Sequence, residues 1–314
     1  MHRKDVSFLS ENLRCAGWWY APPGANKRPF VVMAHGIGAT RELGLDAFAR
    51  SLCDAGLCVL AFDYRHYGGS EGSPRELLSV RRQQADYRAA LAYARAQPEV
   101  DPQRAVLWGV SLSGGHVLSL AAQGLPLSAV IAQVPFVSAA HLRHGAGALR
   151  RALLGTGLGL YDIVAGVLGH EPVYLPLLGP DNSLVAMPGA EHERGYRKLV
   201  PPEVEAAQRW RNRIAFRSAL RLTLYEPARN LPRARVPILI VVGEHDTLCP
   251  TELTRTVAAR SQSVQLVSVP GDHFDCFAGQ GFEDSMKAQL AFLRQHQLVA
   301  EGVQAAAATP TEAA

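Results

Sequence analysis

The stretch Ala105-Val-Leu-Trp-Gly-Val-Ser-Leu-Ser-Gly-Gly-His116 decides the fold. An apolar run of strand character enters a turn of small residues with Ser111 at its tip, and a helix begins just beyond it. So tight a turn forces Ser111 into a strained backbone conformation, and the helix N-terminus aims its amides at the same point. A hydroxyl held there is exposed and close to donors that can receive negative charge. Gly109 and Ser113 flank the serine two residues away on either side, where strand and helix approach too closely for large side chains. A register centred on Ser113 would put Leu112 directly before the tip and push Gly109 out of the turn, so Ser111 is the preferred nucleophile.

A nucleophilic serine needs a base and a group that orients the base. Downstream, Pro237-Ile-Leu-Ile-Val-Val-Gly-Glu-His-Asp-Thr-Leu-Cys-Pro250 reads as a buried strand ending in a turn that carries Asp246. About one strand-helix unit later, Val264-Gln-Leu-Val-Ser-Val-Pro-Gly-Asp-His273 is another strand ending in a loop with a histidine. Both polar residues fall just past strand C-termini, where open parallel sheets place their chemistry. The order serine, acid, histidine suits one site. Glu244 competes with Asp246 for the acid role but lies closer to the strand.

Four segments together resemble the α/β-hydrolase superfamily: Met33-Ala-His-Gly-Ile-Gly38, Phe62-Asp-Tyr-Arg-His-Tyr-Gly-Gly-Ser70, Gly109-Val-Ser-Leu-Ser-Gly-Gly115, and the Gly243–Pro250 turn followed by Gly271-Asp-His273. The resemblance covers about Val6 to His296. Within the superfamily the elbow is similar to esterases and acyl-transfer enzymes related to the X-prolyl dipeptidyl-peptidase and dienelactone-hydrolase branches. It departs from dienelactone hydrolases in having no cysteine at the nucleophile position, and from dehalogenases and epoxide hydrolases in having no aspartate there. The resemblance implies a serine hydrolase with Ser111, Asp246 and His273 as its triad. It also implies an oxyanion hole made by the backbone N–H groups of Leu112, which follows the nucleophile, and Ile37, which follows His35-Gly36.

Length and composition agree with a globular enzyme. A chain of 314 residues, 48% hydrophobic and 19% charged, can bury a large core. The net charge of +4 is mild, and the arginines are scattered rather than interleaved with aromatics, which argues against nucleic-acid binding. The N-terminus has no apolar signal core, and no run of about 18 apolar residues appears, so neither secretion nor stable membrane insertion is expected. Five cysteines without the spacing of a disulfide framework or zinc knuckle fit a cytoplasmic protein. Cys249 and Cys276 read as small buried fillers. The histidines show no i, i+4 pair with a glutamate, so no metal and no cofactor is expected. His35, His116 and His245 read as structural. Tyr67, after the Asp63 turn, is a candidate pocket contact.

Alternating strands and helices predict an α/β-hydrolase fold, a mainly parallel sheet covered by helices on both faces. Val6–Leu13 and Cys15–Ala21 read as an edge hairpin, Phe30–Ala34, Leu57–Asp63, Ala105–Val110 and Ala129–Val134 as strands, and Leu45–Ala55, Arg75–Gln97, Gly114–Gln123 and Gly281–Gln297 as helices. Residues 1–137 and 231–298 are expected to form the core, and 299–314, rich in Ala, Thr and Pro, a disordered tail. The intervening residues 138–230, about 90 in number, far exceed an ordinary connection and are expected to form an inserted, mostly helical cap or lid. Its first half is rich in Gly and Leu, with glycines that would leave it mobile; its second, Pro202–Leu224, reads as charged amphipathic helices. Leu153, Leu158, Leu160, Tyr161 and Val164 are expected to line an apolar substrate site under this lid.

These readings converge on cleavage of a small-molecule ester or thioester of apolar character through an acyl-enzyme. The same apparatus would serve acyl transfer, including polyketide transfer, to an alcohol or amine if the lid excluded water. A catalytically silent protein that binds ligands in the same pocket is the alternative from another class.

Overall fold

The computed structural model describes residues 1–24, 26–140, 148–181, 183–218 and 222–300. Eight strands form one sheet: β1 (His2–Ser10), β2 (Leu13–Ala21), β3 (Arg28–Ala34), β4 (Cys58–Phe62), β5 (Val100–Val110), β6 (Ala129–Gln133), β11 (Ile238–Gly243) and β12 (Val264–Val269). Their spatial order is β1-β2-β4-β3-β5-β6-β11-β12. Only the pairings β1 with β2 and β2 with β4 are antiparallel. The parallel strands are apolar on both sides, as burial under helices on two faces requires.

One face of the sheet packs on α2 (Val80–Arg95), α3 (Leu112–Ala122) and α7 (Thr251–Ala258), where Phe30, Val32 and Ala34 of β3 meet Tyr87, Leu91, Val117 and Leu120. The other packs on α1 (Leu45–Asp54) and α8 (Gly279–Gln295), where Val31 and Met33 meet Phe48, Leu52, Met286 and Leu290. Period-two alternation along β3 therefore serves two cores at once. Leu298 and Val299 are buried in the second core, so the packed chain runs past the expected boundary at 298. The remainder of the expected tail, from 301, lies outside the described residues.

Register aligns the strand ends. Ala34 pairs with Gly109, Val110 with Gln133, Gln133 with Val241, and Gly243 with Val269. Ala34 also pairs with Phe62, so the loops after β3, β4, β5, β11 and β12 leave the sheet along one edge, where the four chemically suggestive segments of the sequence meet.

The chain leaves the sheet between β6 and β11. This inserted segment holds α4 (Ala148–Val167), the short strands β7 (Tyr174–Leu175), β8 (Leu178–Gly179), β9 (Met187–Pro188) and β10 (Ile214–Ala215), and the helices α5 (Ala190–Arg197) and α6 (Pro202–Ala206). Leu175, Leu177, Leu178, Met187, Tyr196, Trp210 and Ile214 from this segment bury Ala39 and Leu43 of the loop after β3, together with Phe274. Two expectations are corrected. Helix α2 starts at Val80, not Arg75, because Ser79 is extended and caps the helix by accepting from Arg82 N, while Glu76 sits at φ 53°. Within 202–224, the helical residues among those described are Pro202–Ala206, a 3₁₀ turn at Phe216–Ser218 and Leu222, while Ile214–Ala215 pair with β7 as a strand.

Candidate active site

Ser111 stands between β5 and α3 with φ 56° and ψ −119°. Such a conformation costs a non-glycine residue about 1–3 kcal/mol and persists only where its surroundings fix it. Here Ser111 N donates to Gln133 O at 2.9 Å, and Ser111 O accepts from Phe136 N at 2.9 Å and Gly115 N at 3.2 Å. Crowding is severe behind the turn: a Cβ on Gly109 would lie 2.2 Å from Ser113 O. The sequence argument for a small residue at 113 is therefore incomplete, because backbone rather than side chain approaches Gly109 there. The Ser113 side chain is fully buried, hydrogen-bonded to Tyr64 Oη and His35 O.

Asp246 follows β11 and His273 follows β12. His273 Nδ1 lies 2.7 Å from Asp246 Oδ2, and the second carboxylate oxygen accepts from Cys249 N at 2.7 Å. A carboxylate only accepts, so Nδ1 carries the proton and Nε2 is left as the basic nitrogen. The competing Glu244 is exposed, as is His245. Ser111 and His273 line one pocket, with Gly36 and Ile37 of the loop after β3. A Cβ on Gly36 would meet Ser111 Cβ at 3.1 Å, which measures how closely that loop lies against the serine. Leu112 opens α3, so its amide belongs to the helix N-terminus beside Ser111.

Among the described residues, Asp246, Cys249 and His273 are a group whose potential ligand atoms lie within 4.8 Å of one another. Two of them are already joined by the hydrogen bond at Nδ1. Burial, and then the Asp246 charge, pushes the Cys249 thiol well above its ordinary range, away from the thiolate that a metal requires. Burial likewise pushes the Cys276 thiol up to about 12.

The rest of the pocket is apolar: Ala39, Leu43, Val110, Met187, Tyr196, Leu199, Leu248, Phe274 and Phe277 complete its lining. Of the residues expected from α4, Leu158, Leu160, Tyr161 and Val164 are not among this lining. Leu158, Leu160, Tyr161 and Val164 are 38%, 55%, 64% and 60% exposed. The helix instead turns Asp162 and Ala165 inward, and Asp162 accepts from Val173 N, Arg217 N and the Arg217 guanidinium. An ion pair, not an apolar stripe, seats this end of the helix. The side chain of Leu153 lies outside the described residues. Tyr67 is buried against the His35 ring and donates to Glu76 O, and it does not line the pocket.

Sequence reasoning missed Ala39, Leu43 and Val110, which lie on the loop after β3 and at the end of β5, and two further kinds of lining residue. Leu248, Phe274 and Phe277 flank the candidate acid and base, and their proximity was a usable signal. Met187 comes from a two-residue strand, Tyr196 from an eight-residue helix whose local pattern is polar, and Leu199 from the turn that follows it. Only tertiary packing brings them in.

A family model described as "Alpha/beta hydrolase family" matches residues 31–283, and the chain belongs to that family. The chain is 35% identical over 291 residues to the Quorum-quenching protein AidA of Acinetobacter baumannii, covering 93% of this chain and 94% of that one. It is 26% identical over 306 residues to the Thiohydrolase aneE of Aspergillus aculeatus, covering 92% of each. It is 28% identical over 304 residues to the Polyketide transferase ATR5 of Stachybotrys chlorohalonatus, covering 94% and 98%. Two of these relatives are thus named as a thiohydrolase and a polyketide transferase, and the chain is an enzyme of the serine-hydrolase type.

Proposed function

We propose that the protein cleaves an ester or thioester of an apolar acyl substrate through a covalent acyl-enzyme. The carrying observation is the buried Asp246–His273 hydrogen bond beside Ser111, in a pocket otherwise walled by apolar side chains. His273 Nε2 takes the Ser111 proton as Oγ bonds to the carbonyl carbon. The oxyanion is received by the N–H groups of Ile37 and Leu112. Collapse expels the alcohol or thiol, which receives the proton from Nε2, and water then attacks the acyl-enzyme by the same route in reverse. Asp246 keeps the imidazole in the required tautomer and stabilises the imidazolium.

Residues 138–230 act in this reading as a cap, and what it admits decides the acceptor. Likeness to a named polyketide transferase, together with the apolar walls, favours acyl transfer to an alcohol or amine as a second reading. All five cysteines are buried and unpaired, which supports a reducing, cytoplasmic setting.

The test is labelling by a fluorophosphonate, followed by turnover of matched p-nitrophenyl esters and acyl thioesters with and without an added alcohol. Labelling of the wild type, and none of Ser111→Ala, is expected. Free acid as the product despite the alcohol would assign hydrolysis; new ester would assign transfer. An unlabelled, inactive wild type would return the protein to the class of silent ligand binders.

A further inference from the structure

Three consecutive peptide groups of the loop after β3 are held by hydrogen bonds, and two of the holds reach in from the inserted segment. Gly36 O accepts from His35 Nδ1 at 3.0 Å and from Ala39 N at 3.4 Å. Ile37 O accepts from Tyr196 Oη at 3.1 Å, and Gly38 O accepts from Trp210 Nε1 at 2.9 Å. Gly38 takes φ +64°, and a Cβ there would lie 2.5 Å from Leu177 Cδ2, so a third residue of the segment closes over the same turn. Burial raises the Tyr196 hydroxyl far above its ordinary range, which keeps it a donor. Its ring packs against Trp210 with centroids 5.7 Å apart.

Peptide planarity gives these contacts their consequence. The N–H of Ile37 and the carbonyl of Gly36 belong to one rigid plane and point opposite ways, so holding Gly36 O aims the Ile37 amide. Holding Ile37 O fixes the next plane, and Ile37 is left no freedom to rotate the amide away. We propose that Tyr196 and Trp210 are positioning residues that set the oxyanion-binding amide of Ile37 from the cap. This rests on the serine-hydrolase reading above. Tyr196 also lines the pocket, so one side chain both touches the space for the acyl group and holds the loop that receives the oxyanion. Seating of the cap and competence of the oxyanion hole are thereby one event.

Tyr196→Phe is the decisive variant, because it keeps the ring in the pocket wall and deletes only the donor. A displaced amide weakens transition-state binding more than substrate binding. The expected result is a fall of about tenfold in kcat with KM within about twofold, and an equal loss of affinity for a boronic acid that mimics the tetrahedral adduct. Trp210→Phe is expected to act in the same direction. Tyr174→Phe deletes another hydroxyl-to-carbonyl bond of the inserted segment, to Arg75 O at 3.2 Å, and is expected to leave kcat and boronate affinity unchanged. Wild-type kcat in Tyr196→Phe would overturn the proposal, as would an equal loss in Tyr174→Phe, which would mark a general loosening of the segment. Ser111→Ala, measured alongside, separates the two levels. If it is inactive while Tyr196→Phe is unimpaired, only the positioning role fails; if it keeps full turnover, the serine reading fails and takes this proposal with it.

Discussion

Asp246 and His273 are joined by a 2.7 Å hydrogen bond, while Glu244, two residues upstream of Asp246, is exposed. The other Asp246 oxygen accepts from Cys249 N, so the carboxylate is fixed in place as well as in charge. In Asp246→Asn the amide oxygen can keep the Cys249 contact and the fold is expected to survive. The amide nitrogen, however, meets His273 as a donor and selects the tautomer protonated at Nε2. A loss of up to about four orders of magnitude in kcat follows. Glu244→Gln is expected to retain activity. Steady-state kinetics of the two variants decide the acid role, which passes to Glu244 if their behaviour is reversed.

Ser113 supplies the second contrast. Its hydroxyl satisfies Tyr64 Oη and His35 O in a fully buried position. Ser113→Ala strands both partners away from water, a cost of about 1–3 kcal/mol. Urea unfolding should register this destabilisation, while fluorophosphonate labelling at Ser111 persists. A stable variant that loses labelling would instead make Ser113 the nucleophile.

The sheet was legible in the sequence because its strands are continuous apolar runs with turn residues at their ends, and the placement of the candidate residues Ser111, Asp246 and His273 was legible because each stands just past such a run. The pocket was not. Met187 and Tyr196 sit in elements too short to have a clear period, Leu199 sits in the turn after α5, and the burial of all three depends on how residues 174–216 fold back over the loop after β3. Residues 158–164 failed for the opposite reason. Their apolar spacing is regular, but an apolar residue need not be inside, and the buried Asp162–Arg217 pair fixes the inward side of α4.

Acid sensitivity of the fold is expected from a histidine buried in the core. His116 is fully buried, with Nδ1 2.8 Å from Tyr225 Oη and Nε2 2.9 Å from Gln83 Oε1. Burial, aided by His35, pushes its pKa down to about 3. Below about pH 6.5 the unfolded chain therefore takes up a proton that the folded one refuses, and stability falls as pH falls through this range. Between pH 7 and pH 5 the loss is about 2 kcal/mol from this residue. His66, pushed down to about 4 chiefly by burial, adds to the loss with the same sign. Urea midpoints at the two pH values should converge in His116→Gln relative to wild type. An undiminished difference would mean that His116 is protonated in the folded protein.

Acyl-chain selectivity should respond to the pocket wall and ignore α4. Each methylene moved from water into an apolar pocket contributes about 0.8 kcal/mol, or roughly fourfold in kcat/KM if burial is kept in the transition state. A p-nitrophenyl ester series should therefore rise from acetate to at least butyrate. Leu199 lines the pocket from the inserted segment, and Leu199→Trp adds bulk where a longer chain would lie. The slope of log kcat/KM against carbon number is expected to flatten or reverse in that variant while acetate is cleaved nearly as before. Leu160 and Tyr161 are 55% and 64% exposed and absent from the lining, so Leu160→Ser combined with Tyr161→Ser should leave the slope unchanged. A slope altered by the α4 substitutions and indifferent to Leu199→Trp would mean that α4 folds over the acyl chain during turnover and that the wall seen here is not the one the substrate meets.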